Sequence, residues 1–328
     1  MTWQLLATLL LVLLAVAGIL LAWEVLQILR AKAPPTVATV RVASPDPAPL
    51  IANSTAAIPK IIWSYWHQTP VPEFVALCQA NWTRFAPDHE VRMLSRDSIQ
   101  TWLASAELSS QFDTLPPYRQ ADWLRLQLLA QHGGLWIDAS TILTQSLAWV
   151  HQQQQAQQVE YIGFYIDRFT QKPEQPIVEN WFMAAVPGSA FVTDLAREFD
   201  HALRLGETPY LAELQAQGLL EQVSQGLGPK DRQYLIMHVA AAVVLDRAAA
   251  NYRLFLSRAE DTAFAFHTAL RWRKRHLYAR LGLTPCPRHL PMLIKLRGGD
   301  RRVVEQGMAR GWLYRGSLLA KYLRPPHY

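Results

Sequence analysis

The chain opens with one continuous apolar run and continues as segments whose apolar positions repeat with helical or strand spacing. Residues 5–23 carry no charge, and nineteen helical residues span roughly 28 Å, close to the hydrocarbon thickness of a bilayer. The alternative is a cleaved signal peptide, which usually has a basic start, a shorter apolar run and a small-residue cleavage site. None of these is clear here. The pattern therefore predicts a transmembrane anchor within residues 1–30.

Downstream of residue 57 the pattern predicts alternating strands and helices. Residues 58–66 are β-branched and aromatic, which is typical of a buried strand. Residues 73–85 have helical spacing, residues 89–94 alternate like a second strand, and residues 96–110 are helical again. This order is typical of an α/β domain with a mostly parallel central sheet.

Three further segments complete the predicted organisation. Residues 31–57 are rich in Pro, Ala, Ser and Thr and predict an extended linker. The folded domain is expected to span residues 58–275, with a helical extension over 276–328. Within the domain, the glutamine-rich residues 152–158 predict a loop or a frayed helix end without chemistry.

Basic residues are concentrated at the C-terminal end and after the apolar run. Residues 271–328 hold fourteen Lys and Arg against two Asp and Glu. One hypothesis is a helical stripe over 303–322 that contacts anionic lipid, and the alternative is a terminal helix packed on the domain. No recognised nucleic-acid module accompanies the charge, so we expect no nucleic-acid partner. Arg30, Lys32 and Arg41 follow the apolar run, which predicts a single-pass membrane protein with its domain on the cytoplasmic side.

Cysteines and glycosylation triplets add little. Cys78 and Cys286 are the two cysteines, too few for a disulfide framework or a zinc pattern. Asn53 and Asn81 begin N-x-S/T triplets, which would matter only in a luminal domain.

The most informative stretch is "YRQADWLRLQLLAQHGGLWIDAS". Residues 118–131 have a broad apolar helical face, and Asp122 and Arg125 are neighbours on the helix surface. The glycines at 133–134 end the helix, and a short apolar strand leads to Asp138. Ligands of open α/β sheets bind beyond the carboxyl ends of the strands, where Asp138 lies. The alternatives are that Asp138 caps the turn that follows it and that Asp122 and Arg125 form a weak surface ion pair.

This stretch resembles the core of glycosyltransferase family 32, enzymes with a DxD-like motif, and is most similar to their capsular polysaccharide synthesis branch. "IPKIIWSYWHQ" and "ENWFMAAVPGS" agree, so the resemblance extends over about residues 58–200. It implies a GT-A-like nucleotide-sugar-binding domain and transfer with retention at the anomeric carbon. The implied partners are a nucleotide-sugar donor and a polysaccharide or glycolipid acceptor.

The resemblance also implies roles for individual residues. Trp66 would stack on the nucleotide base, although it could equally be an ordinary core residue. Asp122 would hold donor hydroxyls, and Arg125 would neighbour the sugar or the phosphates. Asp138 would bind ribose, a metal ion or both. These last three form the predicted catalytic set, and Tyr118 joins them as a donor-binding residue.

The remaining candidates concern the metal and the edges of the site. A divalent cation, Mn²⁺ or Mg²⁺, would be held by Asp138 and Ser140. Many relatives carry a second Asp where this chain has Ser140, and a neutral hydroxyl is the weaker ligand. Gly134 is expected near the donor, and His267 and Trp272 resemble a late element of some relatives. For His267 the alternative is an ordinary semi-buried histidine.

The sequence thus predicts a membrane-anchored hexosyltransferase-type glycosyltransferase. A different class remains open: an anchored sugar-nucleotide or glycan-binding protein that kept the fold and lost metal binding, with Ser140 as its symptom. A hydrolase with Asp122 and Asp138 as paired carboxylates is a third possibility.

Overall fold

A seven-stranded sheet with helices on both faces organises the chain in the computed structural model, which describes residues 3–43, 56–103, 112–248 and 251–324. The strands are β1 (Thr39–Ala43), β2 (Ile61–Tyr65), β3 (Glu90–Leu94), β4 (Gly134–Ile137), β5 (Thr141–Leu143), β6 (Tyr161–Tyr165), β7 (Val178–Ala185), β8 (Arg253–Arg258) and β9 (Leu293–Lys295). The α-helices are α1 (Trp3–Arg30), α2 (Glu73–Phe85), α3 (Pro117–His132), α4 (Ala148–Gln157), α5 (Ala190–Leu205), α6 (Glu207–Ala216), α7 (Leu220–Ser224), α8 (Pro229–Tyr234), α9 (Ile236–Ala248), α10 (Ala265–Ala269), α11 (Lys274–Tyr278), α12 (Gly298–Ala309) and α13 (Leu318–Leu323).

The strand order confirms the predicted α/β class with a mostly parallel central sheet. The order is β1-β8-β6-β7-β4-β2-β3, and β5 and β9 form a separate pair. β2 lies parallel to both β3 and β4, and β6 lies parallel to β8. β7 runs antiparallel between β4 and β6, and β1 runs antiparallel on the edge beside β8. Five of the seven strands therefore point the same way.

Successive side chains of the central strands pack alternately into two hydrophobic cores, one on each face of the sheet. Trp63 and Trp136 are buried on one face, against α3, α5 and α9. Ile62 and Leu135, their neighbours along the strands, are buried on the other face, where Trp82 of α2 packs. Successive strand residues point to opposite faces, so a sheet covered on both sides needs continuous apolar strands. That is the pattern of "IIWSY" and "GLWI".

The apolar N-terminal run forms α1, and its last turns pack on the domain. Among the described residues α1 is the one helix that is long and apolar enough to cross a membrane, judged by length and composition. Glu24 accepts hydrogen bonds from Arg273 at 2.7 Å and from His276 at 2.6 Å. Nε of Arg280 donates to the carbonyl oxygen of Ala31 at 2.8 Å. Side-chain contacts thus fix the end of α1 to the C-terminal part of the chain.

Three segments differ from their predicted structure. Thr39–Ala43, placed in the linker by its composition, forms edge strand β1. Of the helix predicted over 96–110, residues 104–110 lie outside the described residues, and a short 3-10 turn is found at Ile99–Thr101. The glutamine run continues regular helix α4 as far as Gln157. Residues 44–55, which include Asn53, also lie outside the described residues.

The basic C-terminal segment packs on the domain through its apolar residues. β9 pairs antiparallel with β5, and the side-chain amide of Asn81 donates to the carbonyl oxygens of Leu143 and Tyr322, both at 3.0 Å. The stripe predicted over 303–322 is interrupted between α12 and α13. Within it Val304 is buried, whereas Trp312 is 56% exposed. Packing on the domain is therefore the alternative that the structure supports for most of this segment.

Candidate active site

A cleft of about 630 Å³ opens where β2 and β4 end. Trp66 follows β2 directly and Asp138 follows β4 directly, so both lie at the carboxyl edge of the parallel strands. β7 runs the other way, and its first residues, including Glu179 and Asn180, reach the same edge. This is the position at which α/β sheets bind their ligands.

Seven of the nine residues singled out from the sequence line this one cleft. They are Trp66, Tyr118, Asp122, Arg125, Asp138, Ser140 and Trp272. Trp66 and Trp272 are more than 200 residues apart in the sequence, so the fold brings these residues together. Gly134 and His267 are not among the lining residues.

Arg125 is the centre of a buried ion-pair network. Its Nη2 lies 3.1 Å from Oδ1 of Asp138 and 3.3 Å from Oδ1 of Asp122. Nη1 donates to the carbonyl oxygen of Asn180 at 2.5 Å. Asp122 also accepts from Arg119 at 2.9 Å and from the Asn180 amide at 3.1 Å. The side chains of Arg125 and Asp122 are 4% and 9% exposed, which excludes the surface ion pair.

Asp138 is the most accessible carboxylate of this network, with a side chain 25% exposed. Oδ1 accepts from Trp136 Nε1 at 2.9 Å, and Oδ2 accepts from Lys295 Nζ at 2.6 Å. Burial opposes ionisation of Asp138, but the charges of Lys295 and Arg125 outweigh it and lower the pKa of the carboxyl below its usual value. Asp138 is therefore an anion held between two cations.

Ser140 is a structural partner of β9. Its hydroxyl donates to the carbonyl oxygen of Leu296 at 2.7 Å and accepts from Lys295 Nζ at 3.1 Å. The Ser140 hydroxyl therefore both donates and accepts a hydrogen bond within the protein. The backbone continues this contact, because the Leu296 N–H donates to the Ser140 carbonyl at 3.0 Å.

These residues do not fit a divalent cation. Hard cations need free anionic oxygens, and Arg125, Trp136 and Lys295 take three of the roughly four acceptor positions of Asp138. An ion beside Asp138 would face two positive side chains, and unit charges roughly 4 Å apart repel by about 4 kcal/mol at an effective dielectric of ~20. The described residues contain no group of three or more His, Cys, Asp or Glu that could hold a metal.

Arginines cover Trp66 and Trp272, two of the four tryptophans that line the cleft. The guanidinium of Arg301 lies 4.7 Å from the ring centre of Trp66. Trp272 has Arg168 at 4.2 Å and Arg297 at 4.8 Å. Aromatic faces beside fixed cations suit a ligand that combines a flat ring with negative charge.

The two candidates outside the lining have structural explanations. Gly134 has φ +98°, and a Cβ there would lie 2.8 Å from the Ile61 carbonyl oxygen, so the glycine lets β4 approach β2. His267 is buried, with Nε2 3.1 Å from Oδ2 of Asp300, the residue whose carboxylate caps α12. Burial is the main cause of the lowered pKa of His267. The semi-buried alternative is the one that fits His267.

Sequence reasoning missed the cationic wall of the cleft. Lys295, Arg297 and Arg301 line it, and all three belong to the basic C-terminal segment. A usable signal was present in "MLIKLRGGDRR", where cations surround two glycines directly after an apolar strand. Glu179 and His238, a buried pair 3.3 Å apart, are two further lining residues that no pattern indicated.

Comparison with known proteins supports the resemblance drawn from the sequence. Residues 49–200 match the family model described as capsular polysaccharide synthesis protein. O-glycosyltransferase braB of Annulohypoxylon truncatum is 30% identical over 150 residues, which cover 40% of this chain and 35% of the relative. Inositol phosphoceramide mannosyltransferase 3 of Schizosaccharomyces pombe is 29% identical over 92 residues, covering 27% of this chain and 26% of the relative. These matches confirm the predicted resemblance.

The matches are partial in length. The chain spans about a third of the first curated relative and about a quarter of the second. Among solved structures, the UDP-bound glycosyltransferase domain from the YGT toxin aligns with 61% of this chain and 79% of its own, at 9% identity and a TM-score of 0.39.

Proposed function

We propose that this glycosyltransferase family 32-like protein transfers a sugar from a nucleotide-sugar donor to a glycan or glycolipid acceptor. The observation that carries the proposal is the position of Asp138. It is an ionised carboxylate at the carboxyl end of β4, held by Arg125 and Lys295 and open to a cleft lined by four tryptophans. Around it the cleft offers the three kinds of contact that such a donor needs.

Each part of the donor has a complementary wall. The face of Trp66 suits the nucleotide base, with Arg301 beside it. The cations Lys295 and Arg297 suit the diphosphate. Asp138 suits a ribose or sugar hydroxyl, because its side chain is a quarter exposed.

Asp122 and Arg125 act by positioning Asp138. Asp122 receives hydrogen bonds from Arg119 and Asn180 and is nearly inaccessible. Arg125 bridges Asp122 and Asp138 at the floor of the cleft. A donor would thus meet Asp138 in an orientation that the two buried residues fix. Tyr118, 47% exposed, would contact a ligand at the rim.

The transfer step requires stabilisation of a leaving diphosphate. The bond from the anomeric carbon to the diphosphate oxygen breaks, and its electron pair stays on the diphosphate. The acceptor hydroxyl oxygen bonds to the anomeric carbon, and its proton leaves on the departing diphosphate. Retention of configuration, which the resemblance implies, is part of the proposal. Fixed positive groups stabilise the charge that develops on the diphosphate.

A hydrolase based on paired carboxylates is less consistent with the site. Glycoside hydrolysis needs one carboxylic acid with a raised pKa to protonate the leaving oxygen. The pKa of Asp138 is lowered, and Asp122 is buried under three hydrogen-bond donors. The non-catalytic alternative shares the same binding site and is separated from the transferase by turnover alone.

We also propose that the domain lies on the cytoplasmic side of a membrane spanned by α1. Arg30 and Lys32 follow the apolar run, and both are exposed. Arg273, Lys274 and Arg275 are exposed beside the end of α1, where they would meet the anionic inner leaflet. The name of one relative, inositol phosphoceramide mannosyltransferase 3, specifies a lipid acceptor, which supports a glycolipid among the candidate acceptors.

The test is calorimetric binding of a panel of nucleotide sugars to the full chain in detergent, followed by a transfer assay with the donor that binds. We expect one donor to bind and to be consumed. Asp138→Asn should lose binding at least about tenfold, the effect of one charged hydrogen bond of about 1.5 kcal/mol. Asp113→Asn is the matched control, because Asp113 is exposed and pairs with Arg96.

Three outcomes are distinguishable. Binding with turnover supports the transferase. Binding of a donor without turnover in the presence of lipid-linked and soluble glycans supports the binding protein. If the folded chain binds no donor, the proposed function is wrong.

A further inference from the structure

The positive charge nearest the candidate catalytic carboxylate belongs to a lysine. Nζ of Lys295 lies 2.6 Å from Oδ2 of Asp138 and 3.1 Å from Oγ of Ser140. Asp138 and Ser140 are the two positions that a DxD-like motif would offer to a metal ion. An ammonium group therefore lies between the side chains that were expected to hold a divalent cation.

The fold delivers this lysine with little freedom. Lys295 ends β9 and is paired with Thr141 of β5, one residue beyond Ser140. Its backbone N–H donates to the carbonyl oxygen of Ala263 at 3.2 Å, and its side chain is 10% exposed. The Lys295 side chain is thus fixed at its base by the strand pairing and at its ammonium group by two hydrogen-bond acceptors. A site with fixed charge needs little reorganisation when a ligand charge develops.

The ammonium keeps one donor for a ligand. An ammonium has three N–H bonds, and two are directed to Asp138 and Ser140. No third acceptor is found within the described part of the chain, and Lys295 lines the cleft. Arg297 and Arg301 line the same wall, two and six residues further along. An anionic ligand placed against this wall would meet Lys295 and two arginines, of which Arg297 also pairs with Asp300 at 2.8 Å and Arg301 with Glu305 at 3.2 Å.

We propose that Lys295, assisted by Arg297 and Arg301, binds the diphosphate of the donor and takes the place of a divalent cation. The inference rests on the proposed function, since it assigns the diphosphate subsite of that donor. It also accounts for Ser140: a second carboxylate there is unnecessary when the bound cation is a side chain that carries one charge. The neutral hydroxyl completes the coordination of the ammonium without adding negative charge.

The experiment measures binding of UDP and GDP to the full chain in detergent by calorimetry, after EDTA treatment and again with added Mn²⁺. We expect one nucleoside diphosphate to bind in EDTA, with less than about a threefold change on adding Mn²⁺, because the subsite is already cationic. Binding that appears only with Mn²⁺ would overturn the inference and leave the proposed function standing. No binding of either nucleotide in either condition would overturn the inference, and the panel of nucleotide sugars decides the proposed function separately.

Variants separate binding from folding. Lys295→Met should weaken the nucleoside diphosphate at least about tenfold, the value of one charge-assisted hydrogen bond, and weaken the matching nucleoside much less. Lys295→Arg should retain part of the affinity, since it keeps the charge. Lys321→Met, an exposed lysine on α13, is the control for net charge. Equal losses for the nucleoside and its diphosphate would mean that Lys295 is structural and would contradict the inference.

If Lys295→Met does not fold, Lys295→Arg and the EDTA comparison on the unmodified chain still decide the question. The unmodified chain needs no variant to show whether Mn²⁺ is required. An affinity of Lys295→Arg that is identical for the nucleoside and reduced for the diphosphate would support direct contact.

Discussion

Arg125 provides a sharp test of the idea that the site rests on a buried charge network. We expect Arg125→Met to destabilise the fold strongly, although methionine preserves most of the stem. The change removes one cation shared by Asp122 and Asp138, at 3.3 and 3.1 Å, and one hydrogen bond to the Asn180 carbonyl. The Arg125 side chain is 4% exposed, so water cannot replace these contacts.

The magnitude follows from what the two carboxylates keep. Removing one partner of a buried ion pair typically costs about 3–5 kcal/mol. Here Asp122 keeps Arg119 and Asp138 keeps Lys295, so we expect the lower end, about 3 kcal/mol. At roughly 2–4 °C per kcal/mol for a domain of this size, the melting temperature should fall by about 6 °C or more.

The assay is thermal unfolding of the full chain in detergent, followed by tryptophan fluorescence. Arg197→Met is the matched control: Arg197 pairs with Asp194 at 2.7 Å, but its side chain is 75% exposed. Exposed pairs contribute about 0–1 kcal/mol, so the control should lose no more than about 4 °C. If Arg125→Met and Arg197→Met melt at the same temperature, the network does not hold the site together. The Arg125→Met, Asp138→Asn double variant should also lose less than the sum of the single losses.

Further predictions concern the scaffold around the cleft. Gly134→Ala should cost about 3 kcal/mol or more in denaturant unfolding, and Gly218→Ala about 1–2, because both have positive φ but only Gly134 meets backbone. His151 lies 3.0 Å from His89, and burial followed by the nearby His89 lowers its pKa. As the pH falls below about 6.5, the His151 side chain is protonated in the unfolded chain before it is protonated in the folded protein. The free energy of unfolding should therefore decline by at most about 1.4 kcal/mol per pH unit. In melting scans from about pH 7.5 to 5.5, His151→Gln should flatten this decline. A parallel decline in the variant would contradict this. Asn81 should carry no glycan by mass spectrometry after secretory expression, because its amide is fully buried and bonded. A glycan there would contradict the packing.

Much of the α/β unit around the site could be predicted because its signals are local. The helical periodicity of 118–131 matches α3, and the glycine pair that ends it matches the start of β4. The apolar strand that follows fixes where Asp138 emerges. These features depend on neighbouring residues, and the sequence records neighbours directly.

The cationic half of the site depends on contacts that no local pattern contains. Lys295 reaches Asp138 from 157 residues away, by the pairing of β9 with β5. The antiparallel insertion of β7 between β4 and β6 is equally long-range. β1 lies in a Pro- and Ala-rich segment, and its hydrogen bonds come from β8 more than two hundred residues later. Composition alone therefore assigns β1 to a linker, and no local pattern indicates the contact between Lys295 and Asp138.

The contacts of Glu24 with Arg273 and His276 fix α1 to the domain. α1 is therefore a rigid support for the domain, whereas a free linker would make it a flexible tether. If α1 crosses a bilayer, the cleft stands at one height and one tilt above the lipid headgroups. Trp272, which lines the cleft, precedes Arg273, the residue that contacts the C-terminal part of α1. An acceptor must then present its hydroxyl at this height, so molecular geometry selects acceptors by how far they project from the membrane. Inserting a helical turn between Trp23 and Glu24 would change that selection without touching the site.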